Sequence, residues 1–205
     1  MAHPIGRIAR ASLLAAGVLI GTTSCTLGNP FMPKAKILVT AQPQVATSKL
    51  TYDEATKLFK NESDRVTFTL KSFPGDITPG VLFTDYKIRF LDQKGTEISD
   101  TLIPHRQLKA TLYVPRGGGG TGTATTGGSE KLEVAAISGA VETYGIVNGF
   151  RSNGGAVTVN GDPWNQNLIG EITFTGRDDN QNIVEAVGTF TVNFVTDIQS
   201  EQAAK

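Results

Sequence analysis

The chain has 205 residues, 39% of them hydrophobic and 19% charged, and its 19 basic and 19 acidic side chains cancel to a net charge of zero. That balance gives the chain no electrostatic reason to seek nucleic acid, which wants a basic patch, and no stretch of the sequence forms a polybasic stripe for anionic lipid heads. A single cysteine excludes an internal disulfide, and two histidines leave almost nothing for a zinc site. The first segment in chain order reads as an export leader over 1–24. Arg7 and Arg10 supply a positive start, Ala11 to Ile20 form an apolar run without charge, and Gly21, Thr22, Thr23 and Ser24 are all small. The run is shorter than the ~20 apolar residues needed to cross ~30 Å of hydrocarbon, so it predicts a removed signal rather than a retained span.

The lone cysteine stands directly after those small residues. Gly21-Thr22-Thr23-Ser24-Cys25 resembles the lipobox of bacterial lipoproteins, with Thr22 where that family usually has Leu. The resemblance implies cleavage before Cys25, lipid on its sulfur, and a location in the cell envelope. Thr26 is not the Asp that resembles an inner-membrane retention signal, so an outer-membrane or cell-surface destination is expected. One acyl chain anchors weakly, whereas the several chains carried by that family give a near-permanent hold. Residues 25–34, with Gly28, Pro30 and Pro33, read as a tether. Losing the leader removes two arginines and no acid, which takes the net charge to −2 and leaves His105 as the remaining imidazole.

From residue 35 onward the pattern is period-two alternation, the signature of half-buried strands. Strands are predicted over Lys36–Thr40, Arg65–Lys71, Asp85–Leu91, Gln107–Val114 and, less regularly, Lys131–Ile137. Val66, Phe68 and Leu70 share one face of the second, and Tyr86, Ile88 and Phe90 one face of the third. A closing hairpin follows: Ile169–Thr175 runs in, the polar stretch Arg177–Asn182 turns, and Gly188–Val195 runs out. One short helix is predicted from Thr51 to about Asn61, because Thr51 and Glu54 fit a capping box ahead of Ala55, Leu58 and Phe59.

These elements predict an all-β fold, a two-sheet antiparallel sandwich over 35–198 with one short helix and long loops, followed by a tail at 199–205. The phrases Ile172 to Asn182 with Gly188 to Val192, and Phe83 to Gly95, resemble the closing strand pair and an inner strand of bacterial immunoglobulin-like domains. That resemblance implies an immunoglobulin-like sandwich. The chain exceeds the ~100 residues of a simple domain of that kind, and the excess falls in 115–130 and 138–168.

Few residues suggest chemistry. The Gly-rich stretch from Gly117 to Gly128 ends in Ser129-Glu130 rather than the Gly-Lys-Ser/Thr of a phosphate loop, so 115–130 reads as a flexible loop. Asp178, Asn180 and Asn182 alternate oxygen ligands as a calcium loop begins. Ile183 falls where that loop needs Gly and no Glu closes it, which favours a turn. Trp164, with Asp162 and Asn165 beside it, suggests a sugar-stacking loop, against the simpler reading that the indole folds back onto the sandwich. With one imidazole no serine triad or zinc centre is expected, and no two carboxylates are marked as an acid–base pair. The sequence therefore predicts a lipid-anchored, non-catalytic envelope protein that binds or spaces an envelope partner. It needs no cofactor and contacts no nucleic acid. A glycan- or small-ligand-binding module using the Trp164 loop, or less favourably a carboxylate hydrolase, are the alternatives.

Overall fold

The computed structural model describes residues 34–73, 78–117 and 128–199. All seven predicted strands are present. The first sheet has the order β1-β4-β7, formed by β1 (Ile37–Gln42), β4 (Val66–Ser72) and β7 (Ser129–Val134). The second has six strands in the order β3-β2-β11-β10-β5-β6: β3 (Leu58–Ser63), β2 (Val45–Asp53), β11 (Ile183–Gln199), β10 (Asn167–Asp178), β5 (Val81–Leu91) and β6 (Arg106–Val114). A small hairpin, β8 (Phe150–Asn153) with β9 (Ala156–Val159), stands apart.

The two large sheets close on one core because the alternating apolar faces must leave water. Val66, Phe68 and Leu70 of β4 are fully buried and meet Leu168, Ile172 and Phe174 of β10 and Phe190 and Val192 of β11. The Phe68 ring lies 6.1 Å from Phe174 and 5.7 Å from Phe190, edge to face in both cases. Phe83 and Phe90 of β5 extend the same chain of rings. Opposite Phe190 stands Gly170, where a Cβ would fall 2.2 Å from the ring. The glycine makes room for the aromatic across the strand pair.

The first and last described segments lie at opposite poles. Ala35 N–H donates to Asp178, Ser72 bonds both Pro115 and Gly128, and Gly117 bonds Thr78, so these segments gather at an N-terminal pole. From there β11 runs past the sandwich to Gln199, whose carbonyl accepts Glu54 N–H at the far end.

Four expectations are corrected. The sheets are not wholly antiparallel: β2 runs parallel to β11, from Val45 beside Thr191 to Asp53 beside Gln199. The predicted helix at 51–61 is a hairpin, β2 to β3. Thr51, Tyr52 and Asp53 complete a strand, and it is Asp53, not Thr51, that caps, taking the N–H groups of Ala55 and Thr56. Capping chemistry serves a turn as well as a helix, and cross-strand pairing with Phe59 on Tyr52 (rings 5.0 Å apart) settles the choice. The one helix, α1 (Gly139–Gly149), lies where a loop was expected. Its three glycines disfavour a helix by propensity. Packing overrides this, since a Cβ at Gly145 would sit 2.6 Å from both Leu50 and Phe194 and only glycine lets the helix approach. Finally, Ser129 and Glu130 open β7 rather than closing the Gly-rich loop, and Ala135–Ile137 leave the sheet after Val134.

The hairpin makes a pH prediction. The Lys60 ammonium 2.6 Å from Asp53, helped by the Thr56 N–H, holds the Asp53 carboxyl down at about 2. A depressed carboxylate contributes stability that is complete above its unfolded value near 3.8 and is lost as pH falls through 2. NMR titration of Asp53 is expected to place its midpoint near 2 and, in Lys60→Met, nearer 3.8. An unchanged midpoint in the variant removes Lys60 as the cause.

Candidate functional site

Cys25, and most of the tether before Ala35, lie outside the described residues. The residues proposed for ligand binding do not converge. Trp164 is half-buried and turned inward, its ring 5.6 Å from Phe194, with Gly149 leaving space beside it. Its Nε1 is buried without a hydrogen-bond partner. Asp162 points outward and pairs with Arg151 of β8. Asn165 is half-buried. The loop is organised by Asn160, whose side chain takes the Asp162 N–H and donates to the Asn148 carbonyl at the end of α1. A sugar platform needs an open aromatic face, and Phe194 occupies one face of this indole.

The Asp178–Asn182 turn has a full set of internal partners. Asp178 is 2% exposed. One carboxylate oxygen accepts the N–H groups of Asn180 (2.9 Å) and Asn182 (2.8 Å). The other accepts the Asn182 side-chain amide (3.0 Å) and Ala35 N–H (3.3 Å). Four donors on two oxygens use the lone pairs a cation would need. Asp179 reaches the other way, to Gly80 N–H at 2.8 Å and the Tyr113 hydroxyl at 3.4 Å. The turn thus joins the N-terminal segment to β5 and β6.

A concave surface lies where alternation along single strands does not reveal it. On the outer face of the six-stranded sheet an open groove of about 500 Å³ runs over Leu82, Tyr113, Thr175, Arg177, Gln181 and Ile183. It adjoins a smaller depression of about 280 Å³ among Lys87, Gln107, Thr173 and Glu185, and Thr175 lines both. At Gly176 a Cβ would lie 2.2 Å from the Leu82 carbonyl oxygen, so glycine is required where β5 bulges toward β10. Leu82, Tyr113, Ile183 and Val187 leave between 41% and 52% of their surface in water, an apolar content unusual for the wet face of a sheet. The signal that could have found this face was the apolar residue at outward positions 82, 183 and 187, read together only once the register is known.

Beside the groove the charges pair off. Arg89 holds Glu171 at 2.7 Å and Glu97 at 3.0 Å, and His105 Nε2 stands 2.7 Å from Glu97. Burial works to raise the Glu97 pKa, but hydrogen bonds from Arg89 and His105 outweigh it and the carboxyl lies below its usual value. Lys109 and the Thr84 hydroxyl lower Asp85 likewise. Every carboxylate shift resolved among the described residues runs downward. A general acid requires the opposite.

No protein-family model and no curated protein matches the chain. Among solved structures it is similar to the Northeast Structural Genomics Consortium target SoR45, with 10% identity over 80% of this chain and 90% of that one, at a TM-score of 0.37. It is also similar to the Pseudomonas fluorescens alkylpurine DNA glycosylase AlkC bound to DNA containing an abasic site analog. There the identity is 12% over 78% of this chain, the TM-score is 0.28, and the chain spans 30% of the glycosylase. At such scores neither likeness carries a functional argument.

Proposed function

We propose that this is a lipid-anchored protein of the bacterial cell envelope, at the outer membrane or cell surface. Its immunoglobulin-like sandwich serves a binding or spacing role without catalysis. The carrying observation is Cys25: it follows a leader-like segment and stands ten residues before Ala35, where the folded domain is first tied down. The strand order supports the fold assignment. β1, β4 and β7 stand as A, B and E do in an immunoglobulin sandwich, while β11, β10, β5 and β6 follow the order G, F, C and C′. The Phe68–Phe174 contact bridges the sheets where antibody domains place the B–F disulfide. The parallel β2, the β3 edge, α1 and the β8–β9 hairpin are additions to that plan.

The outer face of the six-stranded sheet is the surface offered to an envelope partner, since it combines an open groove with exposed apolar side chains. Against the hydrolase alternative, the carboxylate shifts resolved among the described residues run downward, and against the glycan alternative, the Trp164 indole is turned inward with one face on Phe194.

Cys25→Ser tests the anchor. The wild-type chain is expected to sediment with membranes and to show, by mass spectrometry, an acylated N-terminal Cys25. The variant is expected in the soluble extracytoplasmic fraction. An unmodified N-terminus downstream of Cys25, or a wild-type chain found in the cytosol, overturns the reading.

A further inference from the structure

The fold assembles at its N-terminal pole a basic surface that no stretch of sequence displays. Lys34 and Lys36 come from the incoming chain, Lys71 from the end of β4, Arg116 from the residues after β6, and Arg177 from the end of β10. Lys34, Lys36, Arg116 and Arg177 are exposed, and Lys71 is half-buried. Hydrogen bonds hold three of these segments side by side. Phe73 N–H donates to the Lys36 carbonyl at 3.0 Å, and the neighbouring Ser72 hydroxyl donates to the Pro115 carbonyl, next to Arg116, at 2.8 Å. Phe73 itself is 47% exposed, an aromatic side chain on the segment bonded to Lys36. Of the described acids here, Asp178 is committed to four N–H groups and Asp179 to Gly80 and Tyr113. Glu130 is half-buried on β7.

The connecting chain supplies the second argument. From Cys25 to Ala35 the backbone reaches at most about 35 Å when fully stretched. β11 alone, with 17 residues, runs about 55 Å from this pole to Gln199. An anchor at Cys25 therefore keeps the N-terminal pole near the bilayer, and the basic surface with its aromatic ring is the part of the domain it brings there.

We propose that this pole rests on the membrane, with anionic lipid phosphates against Lys34, Lys36 and Arg116 and the Phe73 ring in the headgroup layer. The proposal rests on the lipid-anchor reading above. It makes the far end, with α1 and the β2–β3 and β8–β9 hairpins, the part directed away from the bilayer. Cations near an anionic surface add to a lipid anchor and lose their effect within a Debye length or at high salt.

The test uses the full lipidated chain in phosphatidylcholine–phosphatidylglycerol vesicles containing a headgroup-spin-labelled lipid. Trp164 reports the far end, since β10 separates it from the pole by twelve residues, about 35 Å. Phe73→Trp combined with Trp164→Phe reports the pole. The same Phe73→Trp change with Trp164 retained, read as the added emission, covers any unfolding caused by losing Trp164. The expected result is quenching at position 73, none at Trp164, and loss of quenching at high salt or in Lys34→Glu/Lys36→Glu/Arg116→Glu while the protein still co-sediments through its lipid. A vesicle-bound protein unquenched at position 73, or quenched equally at both positions, overturns the orientation. A wild-type chain that does not co-sediment and carries no lipid overturns the anchor reading instead, and this proposal with it.

Discussion

Phe174→Ala is expected to destabilise the domain by about 3–5 kcal/mol, a fall in Tm of roughly 10 °C for a domain of this size. Phe174 is fully buried at the junction of the two sheets. It touches Phe68 across the core at 6.1 Å and Phe83 and Tyr86 on β5 at 5.9 and 5.8 Å. Truncation removes the area it buries and leaves a cavity lined by stiff rings that cannot collapse into it, which places the cost toward the upper part of the range. No disulfide can share the load, because the only cysteine is Cys25. Phe174→Leu, which keeps most of the volume, is expected to cost less, about 1–2 kcal/mol. Leu58→Ala, at a position 62% exposed on the edge strand, is expected to stay within about 0.5 kcal/mol. Urea denaturation of the three variants measures the series. A Phe174→Ala loss below that of Phe174→Leu rules out the close inter-sheet packing described here.

What could be read from sequence was what local alternation encodes. Val66, Phe68 and Leu70 alternate with polar neighbours and are all fully buried, and β10 and β11 keep the pattern through their whole lengths. The pattern fails where a strand is covered on both faces. Leu50, Thr51, Tyr52 and Asp53 are buried in succession at the parallel pairing with β11, so β2 loses its alternation and its end reads like a helix start. The real helix was hidden by its own composition. Gly145 and Gly149 serve contact with Leu50, Phe194, Thr196 and Trp164, not helix propensity. Tertiary packing decided both elements, and neither contact partner is near in sequence. The same limit applies to function. The Asp178 turn was legible because its chemistry lies within five residues. The outer-face groove and the basic pole draw on strands distant in sequence, and become visible only once register and topology are known.

Asp178→Ala is expected to cost about 3 kcal/mol or more, comparable to the loss of a core aromatic, although it removes only one short side chain. The carboxylate is buried and accepts four N–H groups, two of them from Asn182, which is itself 4% exposed. Without it these donors stay buried with no acceptor, and the cost of stranding a buried donor exceeds the net value of the bond that is lost. Asp178→Asn keeps one oxygen but turns an amide donor toward donors already present, so its loss is expected to fall between wild type and Ala. Because Ala35 N–H is one of the four, both variants are also expected to raise hydrogen exchange at Ala35 and in the 178–182 turn ahead of the core strands. The same geometry predicts the response to calcium. With every lone-pair direction of Asp178 occupied, millimolar calcium is expected to leave the wild-type Tm unchanged. A calcium-dependent rise in Tm that disappears in Asp178→Asn would mean that a cation displaces these N–H groups, and would make this turn a metal site in place of a clasp between the N-terminal segment and the closing hairpin.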